Sequence, residues 1–470
     1  PREIVDSDLI VVWGGNPAST QVNVMNHISK ARKNRNAKLV VVDPYFTKTA
    51  QVADLHIALK PGTDAALACS IMHILFRDGY ADEDYLIRFT DYPKELKKHL
   101  AERDVNWAAR ITGLKISQIE SLAKLYGNTK RSFLRLGYGF TRSRNGAANM
   151  HAVSCLPAVT GAWKYRGGGA LYSNRSIYRW DMSLIEGTET LDPNIRSLDM
   201  SRIGEVLSGN KKDLQGGPEV AAMLIQNTNP SCVAPDSSKV NDGLKKEDLF
   251  LCVHEQFMTD TAKLADIVLP ATTFLEHDDI YQAGGHSHIL LGPKIIEPFS
   301  QAKDNHYVIC NIAKRLGAKH RGFNMSPLEI IDEMLSKAGW PSVASLKKTG
   351  WHDCMPSFET AHHLNGWPTH DKKFHFNAIW QTELSAANSS SNPAMPKLPD
   401  HMPVIKKADN QHPFRLITAP AHNFLNTSFT ETRTSALKEI RPELLLNADD
   451  AKELGLLANS LAIVGNEQGK

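Results

Sequence analysis

The chain repeats itself, and the repeat restricts its fold more than any other feature. Asn16-Pro17 follows an apolar run, Asp8 to Trp13, and Asn229-Pro230 follows another, Met223-Leu224-Ile225-Gln226. In each copy a second apolar run ends in an acid: Asp43, 27 residues after Asn16, and Glu255, 26 residues after Asn229. The pattern T-A-x-x-A-D comes next, as Thr49 to Asp54 and as Thr261 to Asp266, and its Asp lies 11 residues beyond the first acid in both. A proline closes each following run, at Pro61 and Pro270. Matched residues at matched spacing indicate a duplication. Continuous apolar runs alternating with helical periodicity read as buried parallel strands covered by helices, so the fold class is α/β with two pseudo-symmetric halves and mostly parallel sheets.

Open α/β sheets hold ligands at the carboxyl ends of their strands. Gly14-Gly15-Asn16-Pro17 allows backbone N–H groups to approach a phosphate, and the helix that follows offers its positive end. An acid closing the second strand can accept bonds from a ribose or a base. Two nucleotide sites are therefore expected, although a duplication without ligand satisfies the same pattern.

Further elements follow from periodicity. Thr20 to Arg35 and Thr63 to Arg77 are expected as helices, the latter with Ala66, Ile71, Ile74 and Leu75 facing the core. Lys38 to Val42 and Phe133 to Leu136 are expected as strands, Ala147 to Trp163 as a small-residue helix, and 221–317 as a further α/β unit. Domains are expected at 1–130 and 131–384. A Ser/Asn/Pro-rich linker is expected over 385–410, and the start of a β-barrel-like domain over 411–470.

Composition removes several function classes. Net charge is +3, with 54 basic and 51 acidic residues, which gives no footprint for nucleic acid. The basic stretch from His27 to Lys38 reads as a solvated helix end. The six cysteines form no C-x-x-C pair, so no zinc ribbon or iron–sulfur motif lies in this span, and buried free thiols are expected. No apolar run is long enough to span a membrane. The chain opens on Pro1 just before a strand and closes in an apolar run, so both ends read as cuts in a longer protein. Nothing in the sequence decides the compartment; cytoplasm is slightly favoured, and periplasm stays open.

The motifs together resemble the molybdopterin oxidoreductases of the dimethyl sulfoxide reductase family. Trp13-Gly14-Gly15-Asn16-Pro17, Val42-Asp43-Pro44 with Thr47 and Thr49, and Lys60-Pro61-Gly62-Thr63-Asp64 resemble its first nucleotide-binding domain. Asn227-Thr228-Asn229-Pro230, Ala265 to Ala271 with Glu276, and Ala302-Lys303-Asp304-Asn305 resemble the pseudo-symmetric partner. Leu416-Ile417-Thr418 and His422-Asn423-Phe424-Leu425-Asn426-Thr427 resemble a pterin-clasping loop of the last domain.

The resemblance implies a molybdenum (or tungsten) bis-molybdopterin guanine dinucleotide cofactor and two-electron oxygen-atom transfer or related redox of a small substrate. Trp13, Gly15, Asn16 and Pro17 would sit at one pyrophosphate. Asp43, Thr47, Gly62 and Asp64 would serve its ribose and guanine. Asn229, Glu255 and Asp304 would do the same for the second nucleotide. Leu136, Phe140 and Arg142 would line the pterin side, and Thr418, His422, Phe424, Asn426 and Thr427 would close over it. The protein's ligand to the metal, and any iron–sulfur motif, would lie upstream of these residues. No catalytic residue or metal ligand is therefore expected in this chain, and the piece alone is expected to be inactive. An electron-transfer subunit is an expected partner. Asp54 and Asp266 read as turn residues, His73 and His151 as ordinary side chains, and His286 and His288 as loop residues rather than metal ligands.

Three other readings compete. An electron-conducting relative without molybdenum, such as the large iron–sulfur subunit of respiratory complex I, would not need acids in both halves. A nicotinamide dehydrogenase would carry G-x-G-x-x-G after the first strand, where Gly14-Gly15-Asn16-Pro17 stands instead. A pure binding module fits the size and the acid pairs least.

Overall fold

The computed structural model describes residues 1–380, 395–403 and 408–466. In it β1 (Leu9–Trp13) leads through α1 (Pro17–Thr20) and α2 (Val22–Arg35) to β2 (Lys38–Val42) and β3 (Leu55–Ile57). Helix α3 (Asp64–Arg77) follows, and later β4 (Ser132–Leu136) and β5 (Gly169–Leu171). The five strands form one parallel sheet in the order β3-β2-β1-β4-β5. All five residues of β1 are buried, as its unbroken apolar run requires of a strand covered on both faces. Helix α3 is the most buried helix of this sheet's cover, and Ala66, Ile71, Ile74 and Leu75 all lie in the core. The basic end of α2 is a solvated helix terminus: Arg32, Lys33 and Arg35 fall in its last turn, where cations suit the dipole, and Arg35 pairs with Asp8 at 2.7 Å.

The second copy builds a smaller parallel sheet. Strands β6 (Ala222–Gln226), β7 (Phe250–Glu255) and β8 (Ile267–Pro270) stand side by side in that order. β9 (Asp279–Tyr281) and β10 (His288–Gly292) add an antiparallel pair, with Leu291 opposite Ile280.

Several expected boundaries move. The chain divides into one unit of 1–179, 282–289 and 353–408, and another of 180–281, 290–352 and 409–470. The expected break near residue 130 falls inside a sheet. β1 is apolar throughout and needs a hydrogen-bonding neighbour on each side, and β4 supplies the second one. The expected helix 147–163 breaks into Gly146–Ser154 and Leu156–Val159, with Pro157 in the first turn of the second piece and Gly161 at φ +61° after it.

Part of the expected linker, 385–394 and 404–407, lies outside the described residues. The part between is packed rather than loose. Pro399 accepts from the Cys69 thiol at 3.2 Å, Asp400 pairs with Arg103 at 2.7 Å, and Met402 is buried. From 408 to 466 no described residue is buried, and none belongs to a strand. The strands expected of a barrel are not formed there, because a sheet needs an apolar face covered by other residues. Two short helices, Arg433–Glu439 and Ala448–Glu453, are present instead.

Candidate functional site

Asparagine and threonine shape the turn after β1. The Asn16 side-chain oxygen accepts from the Thr49 N–H at 3.2 Å and from the Thr49 hydroxyl at 2.8 Å. That hydroxyl in turn accepts from the Ala18 N–H at 3.1 Å. The second copy repeats each bond. Asn229 accepts from the Thr261 N–H at 3.2 Å and its hydroxyl at 2.6 Å, and Thr261 accepts from the Ser231 N–H at 3.1 Å. Even the backbone agrees, with φ/ψ of −127°/71° at Asn16 and −121°/71° at Asn229.

The repeat is also longer than the sequence pattern indicated. Thr47 accepts from the Ala50 N–H at 3.0 Å, and Thr259 accepts from the Ala262 N–H at 3.2 Å. Asp54 and Asp266 close both copies by accepting from the second residues of the neighbouring strands, Leu39 N–H at 2.8 Å and Leu251 N–H at 2.7 Å. They are structural, as read from the sequence. Asn16, Asn229 and Thr47 thus fix the loop through these bonds, and the Asn16 amide also donates to the Ser19 hydroxyl at 3.1 Å.

The loops after β1 and β4 touch backbone to backbone. Gly137 N–H donates to Trp13 at 2.8 Å and Gly139 N–H donates to Gly14 at 2.8 Å. A Cβ on Gly137 would lie 2.2 Å from the Gly14 carbonyl oxygen, and Gly14 itself has φ +62°. Only glycine permits this approach. Phe140, expected to line the pterin side, is buried under the turn with its ring facing Gly14, and Leu136 is buried as well. Arg142 of the same loop is exposed.

Two carboxylates stand at the carboxyl ends of this sheet. Asp43 follows β2 and is 7% exposed; its side-chain bond is a long one, 3.3 Å from the Tyr45 N–H. Asp64 opens α3 and accepts from the Trp13 indole N–H at 2.8 Å. Neither pairs with a Lys or Arg among the described residues. Burial pushes Asp43 up to about 7, helped by the charge of Asp64, and burial raises Asp64 as well. Two acids held at the cost of desolvation, with unused acceptor capacity, are what a donor-rich ligand would satisfy. Gly62, beside Asp64, has φ +74° and its carbonyl is taken by Asn145.

The second set of acids is placed differently. Glu255 closes β7, half-buried, and accepts from the adjacent Gln256 N–H at 2.7 Å. Asp304 caps the helix Asn305–Arg315 through the Tyr307 N–H at 2.7 Å. Backbone pairing beyond β8 brings them to the same end of the sheet: Ala271 N–H donates to Glu255 and Lys303 N–H to Pro270, both at 3.0 Å. Glu276 is buried and consumed by Thr273 and Phe299 backbone N–H groups. Of the expected clasp, Thr418, His422 and Asn426 are exposed, and Phe424 and Thr427 half-exposed; Asn426-Thr427 form a tight turn closed by Leu425 and Ser428.

Sequence reading missed a buried network beneath Asp64. Asn145 donates to the carbonyls of Gly62 and Met402 at 2.8 and 2.9 Å and accepts from Asn149, which accepts from the Ala65 N–H at 3.1 Å. The signal was available: two asparagines one helical turn apart in a small-residue helix have no reason to be buried unless they are bonded. It also missed Arg135, buried in β4, whose guanidinium donates to the carbonyls of Leu171 and Tyr172 at 3.0 and 2.9 Å and to Gln21. Burial lowers Arg135 to about 10. His73 and His151 bond to backbone carbonyls, as ordinary residues do.

Comparison with known proteins identifies the family. The model of the molybdopterin oxidoreductase family matches residues 2–315. The probable oxidoreductase YoaE of Bacillus subtilis is 34% identical over 474 residues, covering 100% of this chain and 67% of YoaE. The probable oxidoreductase YyaE of the same organism is 30% identical over 323 residues, 67% of this chain and 46% of YyaE. Acetylene hydratase from Pelobacter acetylenicus has a TM-score of 0.73 over 97% of this chain and 66% of its own, and at 20% identity it shows the fold alone. The chain thus spans about two thirds or less of the proteins it matches. Members of the family use a molybdenum or tungsten pterin cofactor, and no helix of the described residues is long and apolar enough to cross a membrane. With more than half its length under the family model and a relative above 30% identical along all of it, the chain belongs to the molybdopterin oxidoreductases.

Proposed function

We propose that this chain grips two molybdopterin guanine dinucleotides, one on each copy of the repeat, in a protein that carries out two-electron oxygen-atom transfer or related redox of a small substrate. The observation that carries the reading is the pair Asp43 and Asp64: Asp43 buried, Asp64 half-buried, neither paired with a cation among the described residues, and both at the carboxyl ends of β1 and β2. A guanine presents N1–H and N2–H₂ side by side, and a carboxylate accepting both makes charge-assisted bonds that offset its desolvation. Asp43 and Asp64 would hold one nucleotide through ribose and guanine, and Glu255 and Asp304 the other. Backbone N–H groups of the Gly14–Pro17 turn, held by Asn16 and Thr49, would meet a pyrophosphate. Arg142 and the 418–427 loop would contact the pterins.

The bound cofactor supplies the metal-centred electron chemistry, and the protein supplies position and electrostatics. The protein's metal ligand and any iron–sulfur cluster would be supplied by residues other than these, and an electron-transfer subunit would take the electrons on. Nitrate, sulfoxides, amine N-oxides, formate and thiosulfate or polysulfide are all candidate substrates.

Metal analysis of the full-length protein, with acid-released nucleotide identified by chromatography, tests the reading. About one molybdenum or tungsten and about two guanine nucleotides per chain are expected for a family of this cofactor chemistry. Iron without either metal, and no guanine, would overturn it in favour of an electron-conducting relative. Asp64→Ala should cut the nucleotide content of the same protein, and an unchanged content would remove Asp64 from the site.

A further inference from the structure

The loop 366–376 of the first unit carries a side-chain cluster that the nucleotide site does not use. His370, Asp371 and His375 each offer one ligand atom, and these atoms all lie within 4.8 Å of one another. The Asp371 carboxylate meets the His375 Nε2 at 2.9 Å and accepts from the Lys373 N–H at 3.1 Å. The two imidazoles stand edge to face, with ring centres 5.8 Å apart at 88°.

The loop is fixed at its base and open at its tip. Trp367 N–H donates to Lys372 at 2.9 Å, and the Thr369 hydroxyl donates to Lys373 at 2.8 Å, closing a tight turn with Lys372 at φ 59°. Phe374 N–H donates to Phe89 at 2.8 Å and Phe376 N–H to Asp91 at 2.8 Å, so the strand end that bears His375 is tied to the rest of the unit. Phe376 is fully buried, whereas His370 and Asp371 are exposed. Backbone order at the base and reachable ligand atoms at the tip are what a preorganised surface site needs.

We propose that His370, Asp371 and His375 form a binding site for a divalent late transition metal of the Zn²⁺ type, with solvent completing the coordination. Two imidazoles and one carboxylate are a three-ligand set of that class, and imidazole selects against Ca²⁺ and Mg²⁺. Tetrahedral Zn²⁺ with bonds of about 2.0–2.1 Å sets its ligand atoms about 3.3 Å apart. Rotation of the side chains by about 1.5 Å closes the gap from at most 4.8 Å. Lys372 and Lys373 flank Asp371 and oppose a cation, which makes the site weaker than a closed four-ligand centre.

Zn²⁺ alone is the probe, titrated by calorimetry into the full-length protein prepared without a histidine tag. Wild type should bind one Zn²⁺ that is lost in His370→Ala/His375→Ala, and either single change should weaken binding at least ~10-fold. Cofactor content in the variants reports that they fold. Cys232→Ser is the control, because its exposed thiol beside Asp260 is the competing place for zinc. It should leave the site intact. Equal zinc binding by wild type and the double variant, loss of the zinc in Cys232→Ser instead, or no binding by wild type would each overturn the proposal.

Discussion

Asp43→Asn separates the cost of the nucleotide site from its use. Burial raises the folded-state pKa of Asp43 from 3.8 to about 7. The folded state therefore holds a proton that the unfolded chain releases between those values. Stability falls as pH rises from about 4 to about 7, and the full cost is present above 7. At ~1.36 kcal/mol per pKa unit, the cost reaches roughly 4 kcal/mol. The asparagine amide keeps the shape and removes the charge, at about 1 kcal/mol for an N–H without a partner.

Cofactor-free Asp43→Asn should thus be more stable than wild type by up to ~3 kcal/mol at pH 8, and the difference should shrink to nothing, or reverse, near pH 4. Urea midpoints of both proteins across pH 4–8 measure it. The same variant should lose affinity for the cofactor, a trade of stability against binding seen where a site keeps an unsatisfied group. A difference that does not change with pH, or a variant less stable than wild type at pH 8, would refute the argument that Asp43 is an uncompensated buried acid.

Other variants probe the surrounding scaffold. Thr49→Val and Thr261→Val each remove the same hydroxyl bonds from matched turns, so urea unfolding should show losses of about 1–2 kcal/mol in each, with little difference between them. Trp13→Phe deletes the indole donor that lowers Asp64, so the stability lost should grow as pH rises through the range in which Asp64 ionises, read as an added pH slope. Asn145→Ala opens the network under Gly62 and strands two buried carbonyls, costing about 2–3 kcal/mol in thermal or urea unfolding.

Much of the first unit could be read in the sequence, because its strands are apolar on both faces. β1 and β2 appear at the expected residues, and α3 starts one residue from its expected position with the expected core. Asp54 and Asp266 were readable as turn residues because aspartate bonding to nearby backbone is a local property. What escaped depends on distant pairing. The choice of β4 as the second neighbour of β1 joins residues more than a hundred apart, and no local pattern contains it. The loop-fixing roles of Asn16 and Asn229 were also hidden. The sequence marks them as turn residues next to a phosphate-type loop, but only the fold brings Thr49 and Thr261 against them. Pro396, Pro399 and Pro403 suggested a linker, yet prolines still offer carbonyls, and Pro399 uses its own to meet Cys69 and His99.

The duplication itself explains why the two halves do different work. Asn, Thr and closing Asp recur with the same bonds, so the turn that presents backbone N–H groups is the part of the ancestral unit that both copies retain. The acids do not recur in kind. Asp43 is buried with one long bond, while Glu255 is half-buried beside its own backbone donor, and Asp64 opens its helix while Asp304 caps one. A phosphate can be held by backbone alone and tolerates a copied turn, whereas a base is held by side chains whose burial sets both strength and charge state. The first copy therefore carries a pH-dependent penalty at Asp43 that a ligand must relieve. A nucleotide held at Asp43 and Asp64 would thus bind with a pH dependence set by Asp43.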